Sequence, residues 1–176
     1  MEFRFCPQLV FESAEEREKI RERSKGATEK QLERGSRFSR EIESSIFPSV
    51  SIQTVSEQCG LGLFAEEIIE EGAFSGEYTG LVRFDRGYYA ELHNDYCFRY
   101  PIAGCLIDAR EQGNLARFIN HSERPNLQAL FVHYDGLYHV IFLALRKICT
   151  GEELTFDYGP KYWNRTPAID DSRSCP

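Results

Sequence analysis

The stretch Asn114-Leu115-Ala116-Arg117-Phe118-Ile119-Asn120-His121-Ser122, with Pro125-Asn126 just behind it, decides how this chain is read. Polar side chains capable of several hydrogen bonds surround the apolar pair Phe118-Ile119. Adjacent Asn120 and His121 offer donors and acceptors that could read the edge of a purine. Arg117 can pair with a carboxylate. The plainer alternative is a turn that holds a buried structural histidine.

Working outward, Gly151-Glu152-Glu153-Leu154-Thr155-Phe156-Asp157-Tyr158-Gly159 reads as a turn and a final strand from Glu153 to Tyr158. It places a phenol at a strand terminus, where functional groups concentrate; a hairpin end with a half-exposed tyrosine is the alternative. Upstream, Gly60-Leu61-Gly62 reads as a turn. Its missing side chains would let a ligand lie against the backbone, although a plain turn is the better reading of a lone G-x-G. Between these segments the chain is built of short strand-like runs: Ser49 to Val55, Leu63 to Ala65, Ala73 to Tyr78, Tyr96 to Tyr100 and Cys105 to Ile107. Leu127 to Tyr134, Asp135-Gly136 and Leu137 to Ala144 form the pattern of a hairpin closed by a D-G turn. Tyr88 to Asn94 and Glu111 to Phe118 read as short helices.

Before Phe47 the texture is different. Residues 12–43 carry nine acids and nine bases, so all of the net charge of −7 lies elsewhere. Mixed charge with few apolar residues predicts an exposed helix laced with i,i+4 pairs. Ser13 followed by Glu16 can cap its start, and Gly26 and Gly35 are expected to interrupt it. The organisation expected is a charged helical extension over 1–46, a mostly-β body over 47–163 and a flexible tail over 164–176.

The chain has 176 residues, 41% of them hydrophobic, enough for a packed core. Its acidic balance argues against direct binding to nucleic acid and suits a cationic partner. The six cysteines are scattered, with no C-x-x-C pair, and read as free thiols. No run approaches the length of a membrane span. The opening, which carries Glu2 and Arg4, is unlike a secretory leader.

Taken together and in order, these segments resemble the SET-domain protein lysine methyltransferases. The resemblance runs from Gly60-Leu61-Gly62 through Glu77-Tyr78-Thr79-Gly80, Tyr96-Cys97-Phe98 and Ile107-Asp108-Ala109. It continues through Arg117 to Ser122 and ends on Gly151 to Gly159. It implies a mostly-β fold with short helices, the β-clip of small curved sheets, whose late segment threads past Asn120-His121 as a pseudo-knot. It also implies S-adenosyl-L-methionine as cofactor, released as S-adenosyl-L-homocysteine. The residues it assigns to the cofactor are Gly60, Leu61, Gly62, Tyr96, Arg117, Phe118, Asn120, His121, Tyr158 and Trp163. Tyr158, Tyr78 and Phe156 are the residues it places at the reacting lysine. A phenylalanine at position 156 resembles members that add two or three methyl groups.

The sequence also departs from the family. Members that bind structural zinc carry Cys after Asn-His-Ser, where this chain has Glu123, and three cysteines downstream, where it has Cys175. No zinc and no other metal is therefore expected. Tyr162 and Trp163 are candidates to lid the cofactor cleft, and Glu66, Glu67, Glu70 and Glu71 to form an acidic rim for a basic substrate. A histone, a histone-like protein or a ribosomal protein would present such lysines. No membrane association is expected, and the N-terminal block could mediate a homodimer. The location implied is intracellular: a bacterial cytoplasm, or a nucleus. The competing reading is a SET-like module that binds a partner without transferring methyl.

Overall fold

A computed structural model describes residues 3–57, 59–84 and 96–159. In chain order come β1 (Arg4–Phe5), β2 (Val10–Phe11), α1 (Ala14–Arg23), α2 (Glu29–Arg37) and α3 (Ser39–Glu43). Next are β3 (Val50–Ser56), β4 (Gly60–Ala65), β5 (Phe74–Glu77), β6 (Gly80–Phe84), β7 (Cys97–Arg99) and β8 (Cys105–Gly113). A 3-10 turn (Leu115–Phe118) leads to β9 (Asn120–His121), β10 (Leu127–Tyr134), β11 (Leu137–Ala144) and β12 (Thr155–Phe156). The expected helix at Tyr88 to Asn94, the tail, and Tyr162 and Trp163 lie outside the described residues. Among the described residues no helix is long and apolar enough to cross a membrane.

The mostly-β architecture expected from the sequence is the one observed, and it divides into two compact units. The first contains Met1–Ile46, Gly76–Arg117 and Leu130–Ile141; the second contains Phe47–Ser75, Phe118–Ala129 and Phe142–Pro176. The N-terminal extension thus shares a unit with parts of the expected mostly-β body.

In the first unit β8 runs antiparallel to both β6 and β7, and β1 adds to it in parallel through Arg4 opposite Gln112 and Phe5 opposite Gly113. β2 adds in parallel to β6. The extension therefore begins as sheet before it becomes helix. Ser13 caps α1 as the sequence indicates, its hydroxyl accepting from the Glu16 amide at 3.1 Å. Thr28 and Gln31 form a reciprocal cap on α2. Both helices are strongly polar, so packing must hold them. Ile20 of α1, Phe38 at the end of α2 and Ile42 of α3 supply it, each at most 6% exposed. Burial of one such side chain contributes about 1.5–3 kcal/mol.

Gly26 does fall between α1 and α2, but Gly35 lies inside α2. A Cβ on Gly35 would sit 2.0 Å from the carbonyl oxygen of His133. The glycine is there for close packing, not as a break.

The β10–β11 turn is the D-G hairpin expected, with Asp135 at φ 46 and Gly136 at φ 77, both left-handed as a type I′ turn requires. Arg21 clamps the turn, donating to the Asp135 carbonyl at 2.6 Å and pairing with its carboxylate at 2.9 Å. Glu111 to Phe118, expected as a helix, remains strand as far as Gly113 and then makes a single 3-10 turn. Asn114 makes the change. Its Oδ1 accepts from the Ala116 amide at 3.1 Å and its Nδ2 donates to the Glu77 carbonyl at 2.7 Å.

The second unit is built on the β3–β4 hairpin and a threaded late strand. Gly60-Leu61-Gly62 is not a turn but the start of β4; only Gly60, at φ 74, has the left-handed backbone of a turn exit. β12 pairs in parallel with β9 through Thr155 opposite Asn120 and Phe156 opposite His121. On its other edge Phe156 stands opposite Leu127 of β10. The late segment thus passes between the two ends of the 122–126 connection, and this is the pseudo-knot the resemblance implies. Asn126 secures it: Nδ2 donates to the Glu153 carbonyl at 2.7 Å and Oδ1 accepts from the Thr155 amide at 2.9 Å. Leu63, Ile119, Leu127, Phe142, Ile148 and Leu154 form the core beneath, each at most 1% exposed.

Cys6, Cys97, Cys105 and Cys149 are free thiols; Cys59 is disulfide-bonded and departs from that expectation.

Candidate active site

In the second unit the threading brings Tyr158 to Ile119 and His121. The Tyr158 hydroxyl donates to the Ile119 carbonyl at 3.0 Å. Its amide donates to Nδ1 of His121 at 3.2 Å, and the two rings lie 5.4 Å apart. The Asp157 carboxylate lies 3.7 Å from the same nitrogen. Phe156 lies between Tyr158, tilted against it at 4.7 Å, and Phe142, edge-on at 5.0 Å, forming an aromatic wall.

Asn120 is fixed from two directions. Its Nδ2 donates to the Leu61 carbonyl at 3.1 Å and to Oε1 of Glu153 at 2.7 Å. Two acceptors around one nitrogen settle which end of the amide points where, and the acceptor Oδ1 is turned the other way. Gly62 makes this possible, since a Cβ there would meet Oε1 of Glu153 at 2.5 Å and Nδ2 of Asn120 at 3.1 Å. A Cβ on Gly60, by contrast, would meet nothing within 4 Å, so backbone can be approached there. Leu61 takes part through its carbonyl while its side chain is exposed. Phe118, which ends the 3-10 turn, is half-buried.

Glu153 was not singled out by sequence reasoning. It stands in the same Gly-Glu-Glu-Leu segment as Tyr158, but its partner lies 33 positions earlier. Of the carboxylates considered for an acidic rim, three are engaged locally. Glu66 accepts from the Ser51 hydroxyl, Glu67 from the Ser49 amide at 2.7 Å, and Glu70 pairs with Lys147 at 3.5 Å. Among the described residues no group of three or more His, Cys, Asp or Glu side chains is arranged to hold a metal.

In the first unit Tyr78 is buried, and its hydroxyl donates to the Tyr96 carbonyl at 2.9 Å. The Ala109 amide donates to that same carbonyl at 2.9 Å. Arg117 lies with its guanidinium carbon 4.0 Å from the centre of the Tyr96 ring and 4.4 Å from that of Phe3. Neighbouring Asp108, only 6% exposed, is held by Arg110 at 2.6 Å and Arg83 at 3.6 Å. Burial would raise the Asp108 carboxyl, but the Arg110 bonds and the two charges outweigh it and keep it below its ordinary range. Burial, with Asp108 beside it, pushes the Cys97 thiol up to about 12, so it stays protonated and a poor nucleophile at neutral pH.

A strand drawn between the two ends of a preceding loop, carrying a phenol to an Asn-His pair, defines a knotted β-clip protein. Comparison with known families agrees: the SET domain matches residues 60–159, more than half of the chain. The chain belongs to the SET-domain family. It is 37% identical over 125 residues to the histone-lysine N-methyltransferase EZH2 of Chaetomium thermophilum, covering 64% of this chain and 8% of that protein. It is 39% identical over 106 residues to human histone-lysine N-methyltransferase 2B, covering 56% of this chain and 4% of that one. Among solved structures, the Chaetomium thermophilum polycomb repressive complex 2 matches with a TM-score of 0.64 at 33% identity, over 73% of this chain and 17% of that one. The chain therefore spans only a small part of the relatives it matches.

Proposed function

We propose that this chain is an S-adenosylmethionine-dependent protein lysine N-methyltransferase that acts on a basic protein such as a histone and adds two or three methyl groups. The observation that carries the reading is the fixed Tyr158 phenol, pinned at its hydroxyl by Ile119 and at its amide by His121.

The described residues fit the cofactor. Gly60 leaves backbone open to approach. Oδ1 of Asn120 is an oriented acceptor for an ammonium or an adenine amine, and the His121 ring offers a further polar edge. In the first unit, taken by itself, the planar fork of Arg117, held over Tyr96, suits a carboxylate. When bound, the cofactor supplies a methyl group on a positively charged sulfur.

The chain's own residues do the rest. The Tyr158 hydroxyl donates its hydrogen bond to the Ile119 carbonyl, so its oxygen lone pairs are left to accept from polarised C–H groups and orient them. Phe156 and Tyr158 give an apolar wall that suits the stem of a lysine. Such a wall desolvates the amine, whose ordinary pKa is about 10.4, and favours its neutral, nucleophilic form. No strong general base is needed. Positioning of this kind can account for about 7–11 kcal/mol of a barrier. Phe156 lacks the hydroxyl that would hold a water where further methyl groups must fit.

Incubation with labelled S-adenosylmethionine and a panel of basic proteins, with sites mapped by mass spectrometry, tests the reading. Labelled lysines are expected. A chain that binds neither S-adenosylmethionine nor S-adenosylhomocysteine by calorimetry is a partner-binding module instead.

A further inference from the structure

We propose that Phe3, carried by the N-terminal strap of residues 3–6, is a positioning residue for Arg117 and through it for cofactor binding. The inference rests on the methyltransferase reading and deepens it.

Arg117 ends a long side chain of many rotamers, and a guanidinium that is to meet a carboxylate must be oriented in advance. Two aromatic rings orient it here. Its central carbon lies over the Tyr96 ring at 4.0 Å and over the Phe3 ring at 4.4 Å. Ring faces hold the flat surface of the ion, while its N–H donors all lie in the plane of the fork. Stacking and carboxylate binding therefore use different parts of the same group.

Each ring is anchored by its own backbone. The Tyr96 carbonyl accepts from the Tyr78 hydroxyl at 2.9 Å and from the Ala109 amide at 2.9 Å. On the other side, Arg4 and Phe5 pair in parallel with Gln112 and Gly113. The Cys6 amide donates to the Gly113 carbonyl at 2.7 Å, and the Cys6 carbonyl accepts from the Thr79 hydroxyl at 2.6 Å. Thr79 is only 1% exposed, and a Cβ on Gly113 would come within 2.9 Å of the Thr79 carbonyl. The strap is thus stitched into tightly packed backbone immediately after Phe3. A continuous set of contacts runs from Phe3 through Arg117 and Tyr96 to the Tyr78 hydroxyl. A charged extension outside the matched family segment in this way reaches a cofactor residue.

The test is calorimetry of S-adenosylhomocysteine binding to the full chain, to Phe3→Ala, to Phe3→Tyr and to Phe5→Ala, with steady-state kinetics alongside. Phe5 sits on the same strap, 59% exposed, and controls for strap order. Loss of one ring face should weaken binding by about threefold to tenfold in Phe3→Ala. The loss should appear in the cofactor KM and leave kcat at saturating cofactor unchanged. Phe3→Tyr should restore the affinity and Phe5→Ala should retain it. Unchanged affinity in Phe3→Ala, or an equal loss in Phe5→Ala, overturns the inference while leaving the methyltransferase reading in place. Failure of the unaltered chain to bind the ligand removes that reading and this inference with it.

Discussion

The hydroxyl of Tyr158 donates to the backbone carbonyl of Ile119 at 3.0 Å across 39 positions of chain. Ile119 is 1% exposed, so that carbonyl has little access to water as an alternative partner. Tyr158→Phe is therefore expected to act twice. It should cost about 1–3 kcal/mol of stability through the unpaired carbonyl. It should also lower methyl transfer by about a hundredfold, the scale seen when one positioned polar group is removed from an active site. Affinity for S-adenosylhomocysteine should stay within about threefold. A radiolabelled assay run beside calorimetry checks both, and near-normal turnover would remove Tyr158 from the chemistry.

Glu153 holds Asn120 at 2.7 Å, and only a glycine at position 62 leaves room for the pair. Glu153→Leu should release the amide and weaken cofactor binding by about tenfold, the equivalent of one hydrogen bond to a charged group. Glu153→Gln keeps an acceptor and should lose less. Gly62→Ala should reproduce the Leu effect from the other side. Calorimetry on the three variants decides; equal affinity in all of them would mean that the Asn120 amide needs no such support.

Phe156 lies 4.7 Å from Tyr158 and 5.0 Å from Phe142, ring centre to ring centre. On the proposed function, Phe156→Tyr should lower the number of methyl groups added, to one. Intact-mass analysis of the substrate after exhaustive reaction reads this directly. The same distribution from both proteins would place product control elsewhere.

Gly35 separates two opposing effects. Alanine is the better helix former by about 1 kcal/mol. Its Cβ would lie 2.0 Å from the His133 carbonyl oxygen, which is backbone and cannot rotate away. Overpacking of this kind costs about 1–3 kcal/mol or more, so the clash should win. Gly35→Ala should lower the urea midpoint. A higher midpoint would show that α2 can shift away from the hairpin strand.

The Asp108 carboxyl is kept below its ordinary range, with burial opposing and Arg110 and Arg83 outweighing it. A carboxylate depressed on folding contributes stability above its unfolded pKa, about 3.9, and loses it as the pH falls through the folded value. Asp108→Asn should thus be less stable than the unaltered protein at pH 7. The gap should narrow below about pH 4 as the carboxylate takes up its proton. Urea midpoints across that range check the sign, and a gap that stays constant would show that the charge is not what matters.

The local features were legible because their causes are local. Asp135-Gly136 closes its hairpin through backbone angles that few other residue pairs adopt readily. Ser13 caps α1 through a bond three residues long. The Arg117 to Ser122 and Gly151 to Gly159 segments carried the family in their residue types. Where the reading slipped, a distant partner was responsible. Gly35 read as a break because nothing in its own helix names His133. Gly60 to Gly62 read as a turn because strand β3 and Glu153, which hold it straight, lie on other segments.

The sequence by itself determined the set of chemical groups available: a phenol, an Asn-His pair, a guanidinium and a phenylalanine in place of a tyrosine at position 156. It also determined the mixed charge that makes the first helices depend on packing. Only the tertiary structure decided which partners those groups have: Ile119 for Tyr158, Glu153 for Asn120, and Phe3 with Tyr96 for Arg117. Propensities and caps act over a few residues, so they can be read along the chain. The bonds that orient these groups close over 33 to more than 100 positions, set by the threading of β12 and the pairing of β1, and no spacing encodes them.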